Sequence, residues 1–232
     1  MPLRKLVLFD IDGTILLSAG AGRRAIMRAL AAELGSAEAL PRIRFDGKTD
    51  PQILMELLAA AGDNAHAPER IAALGREYVR LLEAELATPG HQTTVLAGVP
   101  ELLDRLEAEA GVLLGLLTGN FVEGARLKLS SAGIDPARFR VGAFGTDSHD
   151  RSRLPPVATR RAAEWFGREP TGTEVVIIGD TPADVTCGRS IGARAVAVAT
   201  GSYTVQQLSA AGAHAVFASL APIDPVLTAI LD

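Results

Sequence analysis

Four aspartates and one threonine in this chain stand where chemistry is commonly done. Asp10 and Asp12 come directly after Leu6-Val7-Leu8-Phe9, a run without a polar residue. Thr118-Gly119-Asn120 follows Val112-Leu113-Leu114-Gly115-Leu116-Leu117, and Gly179-Asp180-Thr181-Pro182-Ala183-Asp184 follows Val175-Val176-Ile177-Ile178. Short continuous apolar runs are the signature of parallel strands covered by helices on both faces. In open α/β sheets ligands sit beyond the carboxyl ends of the strands, so these groups should meet on one edge. Any one of the aspartates alone could be a helix N-cap. Together they crowd like charges, which is costly unless a cation neutralises them. An all-oxygen donor set of this kind suits Mg²⁺, which keeps part of its water shell and completes it with substrate phosphate.

The elements that must hold these groups can be read from the rest of the pattern. A further strand-like run is Ala195-Val196-Ala197-Val198, with shorter candidates at 141–144 and 215–217. Helical patterns lie between them over 100–110, 121–132, 156–166 and 182–191. Strands alternating with helices predict an α/β fold, a doubly wound, mainly parallel sheet. Residues 18–88 break the alternation and carry only helical signals. One is the Ala- and Leu-rich stretch 21–34. Asp50-Pro51 places an N-cap before a proline and opens 52–61, and Pro68 opens a third helix reaching about Leu86. Gly62-Asp63-Asn64 and Thr88-Pro89-Gly90 read as turns. The expected organisation is a core of residues 1–17 and 89–232 with a small all-helical domain, 18–88, inserted after the first strand.

Composition narrows the partners. Lys and Arg number 23 against 27 Asp and Glu, a net charge of −4. Nucleic-acid binders usually carry a basic stripe, so no such partner is expected. The single cysteine cannot form an internal disulfide, which points to a reducing compartment. No apolar run approaches the ~18 residues of a membrane span. The opening MPLRKLVLFD reaches an aspartate after four apolar residues, too few for a signal-peptide core. A cytoplasmic protein without membrane contact is expected, a monomer or homodimer.

Asp10-Ile11-Asp12-Gly13-Thr14, Thr118-Gly119-Asn120 and Gly179-Asp180-Thr181-Pro182-Ala183-Asp184 resemble motifs I, II and IV of the haloacid dehalogenase superfamily, over nearly the whole chain. The helical insert is similar to that family's C1 cap. The resemblance implies a Rossmann-like core and a Mg²⁺-dependent phosphatase acting on a small phosphorylated metabolite, most similar to the phosphoglycolate phosphatase-like branch. It implies that Asp10 is the nucleophile that becomes an aspartyl phosphate. Asp12 would be the general acid/base, lending its backbone carbonyl to the metal. Thr118 would bond the phosphoryl oxygens. Asp10 and Asp180 would ligate Mg²⁺, and Asp184 would hold the metal shell. Gly13, Gly119 and Asn120 would lie against the substrate, Gly13 for a sharp turn and Gly119 for an N–H aimed at phosphate. The chemistry is consistent, because phosphoryl transfer demands alignment and charge neutralisation more than a strong nucleophile.

Motif III departs from the family, which has a lysine near the end of the third strand. The lysines here are Lys5, Lys48 and Lys128, and none lies in the expected stretch. Lys128 sits well along the helix after Thr118, roughly 15 Å away at 1.5 Å per residue. By spacing to Pro155-Pro156, Arg151 best fits the missing cation, with Arg153 next. An arginine supplies charge and a two-pronged donor. In the insert, Arg23, Arg24 and Lys48 are candidates to recognise the substrate, of which Arg23 and Lys48 are preferred. Trp165, Phe166 and Cys187 read as core residues. Two other readings share the aspartates. One is a phosphotransferase similar to β-phosphoglucomutase. The other is a phosphoacceptor or phosphate sensor without turnover, which would have no need of Asp12 as a leaving-group acid.

Overall fold

A computed structural model describes residues 4–36, 40–41 and 43–232. In chain order the first half carries β1 (Lys5–Phe9), β2 (Leu16–Leu17), α1 (Ala21–Leu34), α2 (Asp50–Ala60), α3 (Pro68–Leu86), β3 (Thr94–Val95) and α4 (Val99–Ala108). The second half carries β4 (Val112–Leu117), α5 (Val122–Ser131), β5 (Val141–Ala143), α6 (Leu154–Phe166), β6 (Val175–Gly179) and α7 (Pro182–Cys187). It closes with β7 (Arg194–Val198), α8 (Val205–Ala210), β8 (Ala215–Phe217) and α9 (Ile223–Leu231).

Six strands form one parallel sheet in the order β5-β4-β1-β6-β7-β8. The apolar runs occupy its centre because both faces are covered. Val7 and Phe9 of β1 face one layer with α4, α5 and α9, while Leu6 and Leu8 face the other with α6. This two-sided burial is why the strands show no polar alternation. The sheet winds outward from β1 in both directions, with β4 on one side and β6 on the other. Their carboxyl ends therefore flank that of β1, the topological switch point where such sheets bind ligands.

The helices of the 18–88 stretch form a separate apolar cluster around Ile26, Leu30, Leu54, Leu57, Tyr78 and Leu82, which also takes in Phe121. On either side of it the chain pairs with itself, Leu16 opposite Val95 and Leu17 opposite Thr94, as an antiparallel two-stranded ribbon. Neither short strand is expected from the sequence, nor are α8 and α9. Two local expectations are corrected. The N-cap of α2 is Thr49, whose hydroxyl accepts from Gln52 N, and Asp50 is the first helical residue. The helix expected over 182–191 ends at Cys187 and tightens into a 3₁₀ turn over 188–191. Cys187 is buried, with its thiol pushed up to about 12 by burial. Among the described residues no helix is long and apolar enough to cross a membrane.

Candidate active site

Asp10 is the first residue beyond β1, and its N–H still donates to Ile178 O of β6 at 2.9 Å. Asp180 is the first residue beyond β6, so adjacent strands deliver two carboxylates side by side. Asp184 joins them from α7. Asp10, Asp180 and Asp184 each offer an oxygen, all within 4.8 Å of one another. Gly13 makes this proximity possible. Its φ of +83° favours glycine, and a Cβ there would lie 2.4 Å from Asp180 Oδ2. Thr14 Oγ1 donates to Asp180 Oδ1 at 3.2 Å.

The electrostatics show that the group lacks positive charge. Burial, then the neighbouring charges of Asp184 and Asp10, push Asp180 up to about 9. Burial pushes Asp10 up to about 6 despite the opposing pull of Arg151. A hard divalent cation fits this set, because it would neutralise oxygens that cannot all ionise together. Asp184 is the most committed of the three. Its Oδ2 accepts from Thr181 N at 3.0 Å and Thr181 Oγ1 at 2.7 Å, and its Oδ1 pairs with Arg151.

Arg151 opens a 3₁₀ turn ahead of α6 and is buried. Its Nη2 lies 3.3 Å from Asp10 Oδ1 and bonds Asp184 Oδ1, while its buried Nε has no partner. Arg153 leaves 78% of its side chain in solvent and sits 3.7 Å from Asp150. Of the two arginines, only Arg151 reaches the carboxylates.

Asp12 turns the other way. Asn120 Nδ2 donates to Asp12 Oδ2 and to Thr118 Oγ1, both at 2.8 Å. Lys128 Nζ donates to Asp12 Oδ2 at 2.6 Å and to Asn120 Oδ1 at 2.5 Å. This corrects the expectation that Lys128 lies out of reach. Counting rise along the axis ignores that helical side chains lean toward the N-terminus, and the long lysine stem adds to that lean. Burial works against the charge, but Asp12 and Asp50 outweigh it and raise the ammonium's pKa. The sequence carries a signal for this. Gly124, Ala125, Lys128 and Leu129 form the buried stripe of α5, and a lysine on such a stripe needs an anion.

A cavity of about 380 Å³ opens over these groups, and the helical insert supplies its far wall. Arg23 lies at the wall with its guanidinium 3.9 Å from the centre of the Phe45 ring. Lys48 lines the cavity but is ion-paired with Glu56. Arg24 is turned away and pairs with Glu85 at 2.7 Å. Two further residues line it, Asp50, read from the sequence as a helix cap, and Tyr78, which the sequence does not single out. Asp50 N donates to Gly119 O at 2.7 Å, and Asp50 Oδ2 accepts from Phe121 N at 2.9 Å. Burial pushes Asp50 up to about 6, against the pull of Lys128. The insert is thus seated on the 118–121 loop. At Gly119 a Cβ would stand 2.2 Å from Lys48 O, so its missing side chain makes room for the insert's backbone.

This fold, with acidic groups at the ends of β1 and β6 and a hydroxyl at the end of β4, defines a class. A family model described as haloacid dehalogenase-like hydrolase matches residues 4–192. The chain belongs to that family and is a hydrolase. It is 31% identical over 189 residues to a phosphoglycolate phosphatase of Cereibacter sphaeroides, covering 81% of this chain and 82% of the relative. Two solved structures share the fold. CbbY from Rhodobacter sphaeroides, in complex with phosphate, superposes with a TM-score of 0.71 at 21% identity, covering 94% of this chain and 96% of that one. β-Phosphoglucomutase from Clostridium difficile gives 0.73 at 17% identity, covering 99% and 97%.

Proposed function

We propose that the enzyme hydrolyses a small phosphate monoester through a covalent phosphate on Asp10. An oxygen of Asp10 attacks phosphorus while the ester P–O bond breaks, and Asp12 gives its proton to the departing oxygen. Asp12 then takes a proton from water, whose oxygen attacks phosphorus and breaks the bond to Asp10. Inorganic phosphate leaves and Asp10 is restored. Arg151 holds Asp10 and offers positive charge to the phosphoryl group. Asp184 holds Arg151, and Thr118 takes a phosphoryl oxygen. Asp10, Asp180 and the Asp12 backbone carbonyl would hold Mg²⁺, which when bound supplies the charge that lets two anions approach.

The observation that carries this reading is the division of labour between the two carboxylates. Asp10 is buried beside Arg151 and Asp180. Asp12 keeps 43% of its side chain accessible on the cavity side, where a leaving group would sit. Residues 18–88 serve as a cap. The modest cavity, Arg23 at its wall and the phosphoglycolate phosphatase relatives favour a short ester bearing a second anionic group.

The test is a panel of phosphate monoesters, 2-phosphoglycolate and hexose phosphates included, assayed with Mg²⁺. Free phosphate, fastest from the short acidic ester, is expected. An isomerised sugar phosphate without release would replace this reading with a mutase. A long-lived phosphoprotein without release would replace it with a phosphoacceptor.

A further inference from the structure

The proposed reaction needs the Asp12 carboxylate aimed at the leaving oxygen, and the structure shows what aims it. Oδ2 receives two donors, Lys128 Nζ at 2.6 Å and Asn120 Nδ2 at 2.8 Å. Lys128 also bonds Asn120 Oδ1 at 2.5 Å, which fixes the amide so that its nitrogen faces Asp12. The three side chains therefore close on one another. Among the described residues Oδ1 has no hydrogen-bond partner, which leaves it to carry the proton into the cavity. Asp10 already has Arg151, so the hydrogen bonds of Lys128 are committed to the acid and not to the nucleophile.

The surroundings of this ammonium come from the insert. Asp50, the first residue of α2, lines the same cavity as Lys128 and adds a second negative charge to its surroundings. Gly22 of α1 leaves space that a Cβ would reduce to 3.3 Å from Nζ. The hydroxyl of Tyr78 on α3 is buried beside Asp50. Asp50 is also the residue that ties α2 to the 118–121 loop. One carboxylate thus both seats the insert and completes the charge around Lys128.

We propose that Lys128 is a positioning residue for Asp12 and that Asp50 of the insert holds Lys128 in place, so that seating the insert aims the leaving-group acid. This rests on Asp12 being that acid. A displaced acid matters only where the leaving group needs a proton. Departure of an alkoxide requires one, whereas 4-nitrophenolate leaves without it. General acid catalysis contributes about 10²–10⁴-fold, and misplacement by about 1 Å can forfeit about 10²-fold.

The experiment compares kcat/KM, which reports the steps up to loss of the leaving group, for an alkyl phosphate and for 4-nitrophenyl phosphate. The full-length protein is assayed with Mg²⁺ as wild type, Asp12→Asn, Lys128→Met, Lys128→Arg and Asp50→Asn. Asp12→Asn sets the scale by losing far more on the alkyl ester. Lys128→Met is expected to lose at least about ten-fold more on the alkyl than on the aryl ester. Lys128→Arg should recover part of that difference, and Asp50→Asn should follow in the same direction by about two- to five-fold. The aryl rate reports that each variant is folded. If Lys128→Met does not fold, Lys128→Arg and Asp50→Asn decide. Equal losses on both esters for the Lys128 variants, with Asp12→Asn still discriminating, would overturn the inference and leave the proposed function standing. No discrimination by Asp12→Asn would remove Asp12 as the acid and the inference with it. An unchanged ratio in Asp50→Asn would overturn the role of the insert.

Discussion

Asp10 is a buried carboxylate beside two others, held by one arginine. Asp10→Asn removes the nucleophile and relieves like-charge repulsion while keeping shape. Phosphate release should fall to below about 10⁻³ of wild type, with a melting temperature no more than a few degrees from the parent. Retention of the wild-type rate would remove Asp10 from the role of nucleophile. Arg151→Ala should lower kcat by about 10²–10³-fold, the usual cost of losing a fixed electrostatic stabiliser. Arg151→Lys should recover part of it, limited by how closely the lysine ammonium can reach the place of Nη2, which contacts both Asp10 and Asp184. Arg153→Ala should change kcat less than about two-fold, as expected of an exposed residue away from the site; steady-state kinetics of the three variants checks the register of this loop. At this scale the strand-end aspartates were legible because an apolar run that stops at a carboxylate marks both a strand and its end. Lys128 was not, because its contact depends on side-chain direction. The engagement of Asp50 was not either, since its partner, the Phe121 N–H, lies 71 residues away in sequence.

The seating of α2 on the 118–121 loop depends on a close backbone approach at Gly119, which no side chain could share. Its φ is not in the left-handed region, so Gly119→Ala brings no backbone strain of its own. The new Cβ would nonetheless meet Lys48 O at 2.2 Å and push the 47–50 segment away. The expected outcome is a fall in kcat/KM of about ten-fold or more, as for other displacements of positioning groups, with a much smaller change in melting temperature. Unchanged kinetics would show that the segment can shift without consequence. The helices of the insert were read from sequence with their ends nearly in place, because long apolar periodicity and prolines at positions 51 and 68 mark them. The start of α2 slipped by one residue for a physical reason. Thr49 and Asp50 are both good caps, and only the distant Phe121 N–H shows which carboxylate or hydroxyl is otherwise engaged. The ribbon of β2 and β3 has two residues a side, too short for any periodicity to register.

For the whole molecule, the raised carboxylates set an unusual pH response. Without metal, Asp10 and Asp180 hold protons to about 6 and about 9, whereas the unfolded chain gives them up near 3.8. The native state therefore binds more protons across this window, and stability falls as pH rises through it. In EDTA the melting temperature should drop between pH 5 and pH 9 and activity should vanish. Mg²⁺ should restore both, with a larger thermal gain at pH 8 than at pH 5, since the cation competes with protons for the same oxygens. Asp180→Asn should flatten the metal-free profile. A metal-free melting temperature that climbs across the window would contradict this account.

The β2–β3 ribbon has a consequence for how such a molecule can change. The chain departs at Leu17 and returns at Thr94, directly opposite, where paired strands stand about 4.5–5.5 Å apart. Residues 18–93 could therefore be excised and the gap closed with a two-residue Asn-Gly hairpin. With Phe121 replaced by a polar residue, since it packs among the insert's side chains, the shortened chain should fold to the same parallel sheet, as circular dichroism and a cooperative melt would show. Its specificity and the aim of Asp12 would be lost, while Asp10, Asp180 and Asp184 stayed in place. A stem of this kind makes the lid interchangeable, so that new substrates can be reached by grafting a different one without rethreading the sheet beneath it.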